Sequence, residues 1–195
     1  FYFVKEWTRS VKRALTFDAI KKIEFDLSIV NEKAAELMKL ATVVPDKTNL
    51  INDAIDNYET SLKALSAEVE SSKLSSGSDI DKLLDRLIDR LLLHTELFSE
   101  LSFAFGEDLE LVERLKEVRG QSVGLIAVIP QKIEKPEEFR VRLQRIINNQ
   151  DQQFKELKAA EILEYLEDAL PTGALKSEIN KLKKDLLLRF GVEVQ

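Results

Sequence analysis

The chain has 195 residues, of which 44% are hydrophobic and 33% are charged, with only 6 Gly and 4 Pro. This composition is typical of a folded, water-soluble, helix-rich protein with room for a buried core. Its net charge of −6 lacks the basic excess of nucleic-acid-binding domains, so we expect no nucleic-acid partner. The absence of Cys excludes disulfides, thiolate metal sites and cysteine nucleophiles.

Apolar residues recur at alternating steps of three and four along four successive segments. The stripes run from Ile20 to Val44, from Ile51 to Val69, from Ile80 to Phe105 and from Leu111 to Ile129. Side chains at these steps share one face of a helix, where they can pack as a seam against a neighbour. The pattern therefore predicts four long amphipathic helices.

Helix-breaking residues separate these stripes and open further helices beyond them. The breaks lie at Pro45, the Ser-rich stretch 71–78, Gly106 and Pro130, and the later helices open at Pro136 and after Pro171. A short leading helix is predicted from Val4 to Leu15. No second strand candidate exists to pair with the β-branched stretch 122–129, so we interpret that stretch as helix.

We predict an all-α fold: an elongated, mostly antiparallel bundle of about six or seven helices, because the connections are short. Residues 1–72 are expected to form an N-terminal helix and a long helical hairpin, 73–78 a Ser-rich linker, and 79–195 a C-terminal helical bundle. The two parts can also pack as one domain. Segment 94–101 resembles 159–166, which indicates either duplicated helical hairpins or a generic amphipathic similarity.

His94 is the only histidine and falls on the seam between Leu91 and Phe98. A functional interpretation makes it a pH sensor or a metal ligand. The nearby acids Glu96 and Glu100 do not share its helical face. The leading interpretation is therefore a satisfied, partly buried histidine of the core.

The sequence contains no catalytic or cofactor-binding motif. There is no Gly-rich phosphate loop, no Ser-His-Asp set and no nucleotide fingerprint. The acids Glu107, Asp108, Glu110 and Glu113 lack the loop pattern of a calcium site and suit a helix N-terminus instead. We predict a protein that is not an enzyme, with no cofactor and no metal.

Two apolar features are candidate interaction sites. The aromatic cluster at the N-terminus either packs the first helix onto the bundle or contacts a partner or a membrane interface. The stretch 123–129 is apolar on nearly all sides, which indicates either a central position in the bundle or a covering partner. The possible interaction residues are Phe1, Tyr2, Trp7, Ile126 and Val128.

Three short stretches carry a family resemblance. They are FYFVKEW at 1–7, RALTFD at 13–18 and KKIE at 21–24. They resemble bacterial proteins of the family called domain of unknown function 5667, firmly over residues 1–40 and more loosely up to residue 125. Members typically follow a signal peptide or a single membrane helix, and some are attached to anti-sigma factors. The resemblance therefore implies an extracytoplasmic location, and it implies no catalytic or binding residue.

These observations favour a non-enzymatic, extracytoplasmic helical module with a structural or protein-interaction role in a surface assembly. The alternative is a ligand- or stress-sensing regulatory domain linked to an anti-sigma factor or a membrane protein. We expect a protein partner or self-association, and membrane contact only through a segment absent from this chain. The longest apolar stretch, 123–129, is far shorter than the ~20 residues that span a bilayer.

Overall fold

The computed structural model describes residues 19–72, 78–132, 137–149, 163–164 and 166–189. These ranges contain six long α-helical elements, a short 3-10 turn and no strand, which confirms the all-α prediction. The predicted helix from Val4 to Leu15 lies outside them. The elements are α1 (Ala19–Val43), α2 (Thr48–Ser71), α3 (Ser78–Ala104), α4 (Leu109–Val128), the 3-10 turn (Ile129–Gln131), α5 (Glu137–Asn149) and α6 (Ala174–Arg189).

The helices begin and end close to the predicted breaks. Asp108 caps α4, because its carboxylate accepts a hydrogen bond from the Leu111 backbone N–H at 3.0 Å. Glu110 lies in the first turn of the same helix, where a negative charge is stabilised by the helix dipole. These two acids of the 107–113 group therefore serve the start of a helix.

The first four helices form two hairpins that stack on each other. α1 packs on α2 and α3 packs on α4, while α1 also contacts α3 and α2 contacts α4. Four of the polar contacts that join the hairpins connect residues 62 positions apart. The pairs are Glu24 with Arg86, Asn52 with Arg114, Glu59 with Gln121, and the Glu70 carbonyl with Lys132.

The constant separation shows that the two hairpins have the same length and the same register. This is the geometry expected of a repeated hairpin. The predicted antiparallel arrangement holds inside each hairpin, whereas neighbours from different hairpins run parallel. The reason is that α2 runs back along α1 and ends near the start of α1. α3 therefore begins beside the start of α1 and runs in the same direction.

The third pair of helical segments continues the stack. Arg142 of α5 donates to Asp85 Oδ1 on α3 at 2.8 Å and also pairs with the Asp81 carboxylate. After residues 166–170 the chain turns into α6. The two segments are joined by an ion pair between Glu167 and Lys183 at 2.7 Å. α5 thus packs beside α3.

One continuous hydrophobic cluster fills the interior. It extends from Ile23 in α1 to Leu182 in α6 and includes the predicted seam residues on both sides of the Ser-rich stretch. Seam residues such as Leu37, Ile55 and Leu115 are fully buried. α1 to α4 therefore share a single core, although the sequence places a linker between the hairpins.

The ion pairs of Arg142 are expected to fix α5 to α3. Arg142 is buried, whereas Asp81 and Asp85 are partly exposed, so solvent screening reduces what each pair contributes. We expect Arg142→Ala to destabilise this docking by about 1–3 kcal/mol, because charge-assisted hydrogen bonds are lost. Hydrogen exchange of the amides in 137–149 measures this change.

The matched control is Arg145→Ala. Arg145 is exposed and lies 3.6 Å from Asp85, so its removal should change exchange by less than about 0.5 kcal/mol. Equal protection of α5 in both variants would contradict a docking role for Arg142.

Candidate functional site

The structure settles where two of the predicted interaction residues lie. Ile126 is 0% exposed, and Val128 is partly buried and packs against the core cluster. α4 contacts both α2 and α3, so two of its faces are covered within the chain itself. Ile126 is therefore covered within the chain itself, as expected for a central helix, whereas a partner contact at Val128 stays a prediction. Phe1, Tyr2 and Trp7 lie outside the described residues.

A buried polar network joins three helices at the centre of the core. The Tyr58 hydroxyl on α2 lies 3.0 Å from His94 Nδ1 on α3 and 3.0 Å from Ser122 Oγ on α4. The Ser122 hydroxyl also donates to the Val118 carbonyl at 3.1 Å. The Tyr58 and Ser122 side chains are fully buried, and His94 is nearly so.

Two proton orders satisfy these hydrogen bonds. In one, Ser122 donates to the Val118 carbonyl, Tyr58 donates to Ser122 Oγ, and His94 Nδ1–H donates to the Tyr58 oxygen. In the other, Ser122 donates to the Tyr58 oxygen, and Tyr58 donates to an unprotonated His94 Nδ1. In both orders the Tyr58 hydroxyl has a donor and an acceptor as partners.

Burial holds this network in its neutral form. Desolvation first, and the nearby Arg90 charge second, lower the pKa of His94 to about 4. Burial also raises the pKa of the Tyr58 hydroxyl. Neither group therefore exchanges a proton near neutral pH, and the network's role is to position the helices. The sequence interpretation of His94 as a satisfied core residue is confirmed.

His94 also borders a cavity between α1 and α3. The cavity has a volume of about 350 Å³ and is open to the surface. The sequence did not predict it, because the space depends on how closely the two helices approach. One signal was present: Ala34 and Ala35 are adjacent small residues on α1 at this position.

Apolar side chains are exposed at the connection between α3 and α4. Phe103 is 91% exposed and Leu109 is 75% exposed, on the two sides of this turn. The turn between α1 and α2 carries Val43 and Leu50, which are also exposed. We call these four residues the apolar tip. α1 and α3 run parallel, so both turns lie at the same end of the stack.

Sequence reasoning missed the apolar tip. Phe103 lies off the seam that contains Leu101 and Phe105, close to the break at Gly106. A large apolar residue outside a seam and beside a turn was the signal that could have identified it.

The described residues show neither a metal site nor a membrane span. No group of three or more His, Asp or Glu side chains in these ranges is placed to hold a metal ion. None of the helices in the same ranges is both long and apolar enough to cross a membrane.

The single histidine predicts a specific pH dependence of stability. In the unfolded chain His94 takes up a proton as the pH falls below its ordinary pKa of 6.5, whereas in the native state it does so only near pH 4. The native state is therefore destabilised as the pH falls from 6.5 towards 4. Between pH 7 and 4.5 we expect His94 to account for roughly 2–3 kcal/mol of lost stability.

Urea unfolding of His94→Leu at both pH values isolates this term, because carboxylate titration is common to both proteins. The variant should lose less stability on acidification than the wild type by that amount. Leu93→Ala, at the adjacent exposed position, should retain the full dependence. Identical losses in His94→Leu and the wild type would contradict a neutral, buried His94.

No curated protein and no solved structure matches this chain. A family model does match, and the match includes the first hairpin and the first half of α3. It ends at residue 91, whereas the looser resemblance extends to residue 125. Residues 1–91, slightly less than half of the chain, match the family described as domain of unknown function (DUF5667), which confirms the predicted resemblance.

Proposed function

We propose that this chain is a non-enzymatic, extracytoplasmic helical module that contacts a protein partner through the apolar tip. The observation that carries the proposal is the exposure of Phe103 and Leu109 beside one turn. Full burial of such a side chain contributes about 1.5–3 kcal/mol. A partner that buries both side chains would obtain a substantial part of its binding free energy from these two residues.

The stacked hairpins suit a surface of this kind. Each hairpin ends in a turn, and the common register places the turns of successive hairpins at one end of the stack. Repeated helical units of this type form rigid scaffolds that present equivalent positions side by side. Val43 and Leu50 on the first hairpin therefore extend the apolar surface that Phe103 and Leu109 form on the second hairpin.

The buried polar groups support a structural role over catalysis. Tyr58, His94 and Ser122 satisfy one another inside the core and are neutral near pH 7. A general acid or base needs a pKa near the working pH and access to a substrate. The pKa of His94, at about 4, is far from a neutral working pH.

A second candidate function is a ligand-sensing regulatory domain. The cavity between α1 and α3 favours it, because a ligand bound there would contact both hairpins. A change in the angle between the hairpins would then transmit binding to the tip.

Site-specific photo-crosslinking in cells tests the tip surface. We expect full-length protein with a photoreactive residue in place of Phe103 or Leu109 to give one discrete protein adduct. The matched control places the same residue at Val141, an exposed apolar position on α5, and should give none. Light scattering of the purified protein shows whether the adduct is a second copy of the chain.

The double variant Phe103→Ser and Leu109→Ser should abolish the adduct formed from a photoreactive residue at Leu50. Its unfolding free energy should change by less than about 0.5 kcal/mol for each substitution, because both side chains are exposed. Equal adducts at Val141 and the tip, or none at the tip, would contradict the proposed surface.

The extracytoplasmic location is proposed from the match of residues 1–91 to the family. We expect full-length protein in intact cells to be degraded by external protease once the outer layers of the cell are permeabilised. A cytoplasmic protein of similar size serves as the protected control. Protection equal to that of this control would contradict the location, and it would leave the tip surface open to the crosslinking test.

A further inference from the structure

The turn between α3 and α4 presents two large apolar side chains from a hydrogen-bonded backbone. The Gly106 N–H donates to the Phe103 carbonyl at 3.3 Å, and the Asp108 N–H donates to the Phe105 carbonyl at 2.8 Å. Asp108 also caps α4 through its carboxylate. Phe103 and Leu109, which are 91% and 75% exposed, are therefore fixed on either side of one ordered turn. A partner does not have to order this turn on binding, which lowers the entropic cost of association.

The charged side chains along this turn are acidic. No Lys or Arg occurs between Arg90 and Arg114, whereas four acids follow Gly106 in this stretch. They are Glu107, Asp108, Glu110 and Glu113. The turn between α1 and α2 instead carries one acid and one base, Asp46 and Lys47. The negative charge of the apolar tip therefore belongs to the second hairpin.

Two of these acids lie next to Leu109 and are available to a partner. Glu113 pairs with Lys116 at 2.8 Å. Glu107 and Glu110 are exposed, and neither forms an ion pair among the residues that the structure describes. A cation placed against them in an interface, where water is partly removed, is attracted more strongly than in bulk water.

The same charges disfavour three other occupants of the apolar tip. A second copy of the chain, bound tip to tip, would bring Glu107 and Glu110 against their own equivalents. An anionic membrane surface and a nucleic acid also carry negative charge, as does the whole chain at −6. Like charges brought together across an interface oppose binding. A basic protein surface is the occupant that avoids this repulsion.

We propose that the apolar tip binds a basic amphipathic segment of a protein partner. The apolar side chains of this segment cover Phe103 and Leu109, and its Lys or Arg side chains pair with Glu107 and Glu110. Its basic side lies over the second hairpin, because the turn of the first hairpin carries no net charge. This inference rests on the proposed function, since it assigns the chemistry of the partner to the same surface.

A peptide of known sequence tests the sign of the partner's charge. The probe is a short fluorescein-labelled peptide of Leu and Lys, with Leu at helical spacing so that one face is apolar. A Leu/Glu peptide of the same pattern is the anionic probe. Fluorescence anisotropy with the purified full-length protein measures both affinities. We expect the Leu/Lys peptide to bind saturably and the Leu/Glu peptide to bind at least about tenfold more weakly.

The double variant Glu107→Gln and Glu110→Gln removes both negative charges and keeps Asp108, so the cap of α4 remains. It should weaken the binding of the Leu/Lys peptide by about three- to tenfold, because each exposed ion pair contributes modestly. The matched control is Glu70→Gln with Asp79→Asn. These two exposed acids lie at the end of α2 and the start of α3, opposite the apolar tip. The control changes the net charge equally and should bind as the wild type does.

The double variant Phe103→Ser and Leu109→Ser tests the apolar part of the contact. It should weaken the binding of the Leu/Lys peptide at least about tenfold, because the peptide loses the apolar surface that it covers. The circular dichroism spectrum and melting temperature of each variant establish that it is folded before the titration. Equal affinity in this variant and the wild type would mean that charge alone binds the peptide, which contradicts the proposal.

Three further results would overturn the proposal. They are the absence of saturable binding of the Leu/Lys peptide, equal affinity for the Leu/Glu peptide, and unchanged affinity in Glu107→Gln with Glu110→Gln. If adducts still form at the apolar tip in cells, each of these results leaves the proposed interaction surface in place with a partner of another charge. The absence of adducts at the tip contradicts the proposed function itself.

Vesicle flotation distinguishes a protein partner from a membrane. The vesicles contain equimolar phosphatidylcholine and phosphatidylglycerol, and we expect the protein to remain in the unbound fraction. Flotation of the wild type that is lost in Phe103→Ser with Leu109→Ser would assign the apolar tip to an anionic membrane and overturn the proposal.

Discussion

Tyr58 extends from α2 into the centre of the core, where its hydroxyl meets His94 on α3 and Ser122 on α4 at 3.0 Å each. Its ring packs edge-on against Phe98, with centroids 4.8 Å apart. One side chain therefore links both helices of the second hairpin to the first hairpin. A buried hydroxyl needs its partners to avoid the cost of desolvation. This need restricts how the two hairpins can slide or rotate against each other.

The surface contacts between the hairpins agree with this central constraint. Asn52 accepts from Arg114 at 2.7 Å and Glu59 accepts from Gln121 at 2.8 Å, and both pairs share the 62-residue separation. Such exposed or half-exposed pairs contribute little to stability individually. Their value is specificity, because a shift of one helical turn would break all of them together. Apolar seams alone would tolerate such a shift more readily.

The register has consequences at two places on the molecule. At one end it brings the turns of both hairpins together, which collects Val43, Leu50, Phe103 and Leu109 into the apolar tip. Along the side it leaves the cavity between α1 and α3, since Ala34 and Ala35 face the larger residues of α3. His94 belongs to both the central network and the cavity wall. The cavity wall and the contact between the hairpins therefore share this residue.

Periodicity and helix punctuation in the sequence determined the secondary structure of this protein. The stripes from Ile20 to Ile129 and the breaks at Pro45 and Gly106 predicted α1 to α4, because side-chain spacing and backbone restrictions are local properties. The burial of His94 also followed from its seam position. The family resemblance came from short stretches near the N-terminus, and the family model confirmed it.

Only the tertiary structure decided which helices are neighbours and what lies between them. The hydrogen bonds of Tyr58 join residues 36 and 64 positions apart in the sequence. The parallel stacking and the cavity beside Asn31 likewise depend on how closely distant helices approach each other. A seam pattern indicates that one face of a helix is buried, but it does not indicate which helix packs against that face. For the same reason the apolar stretch at Ile126 was ambiguous in sequence, and it became core because α2 and α3 both cover α4.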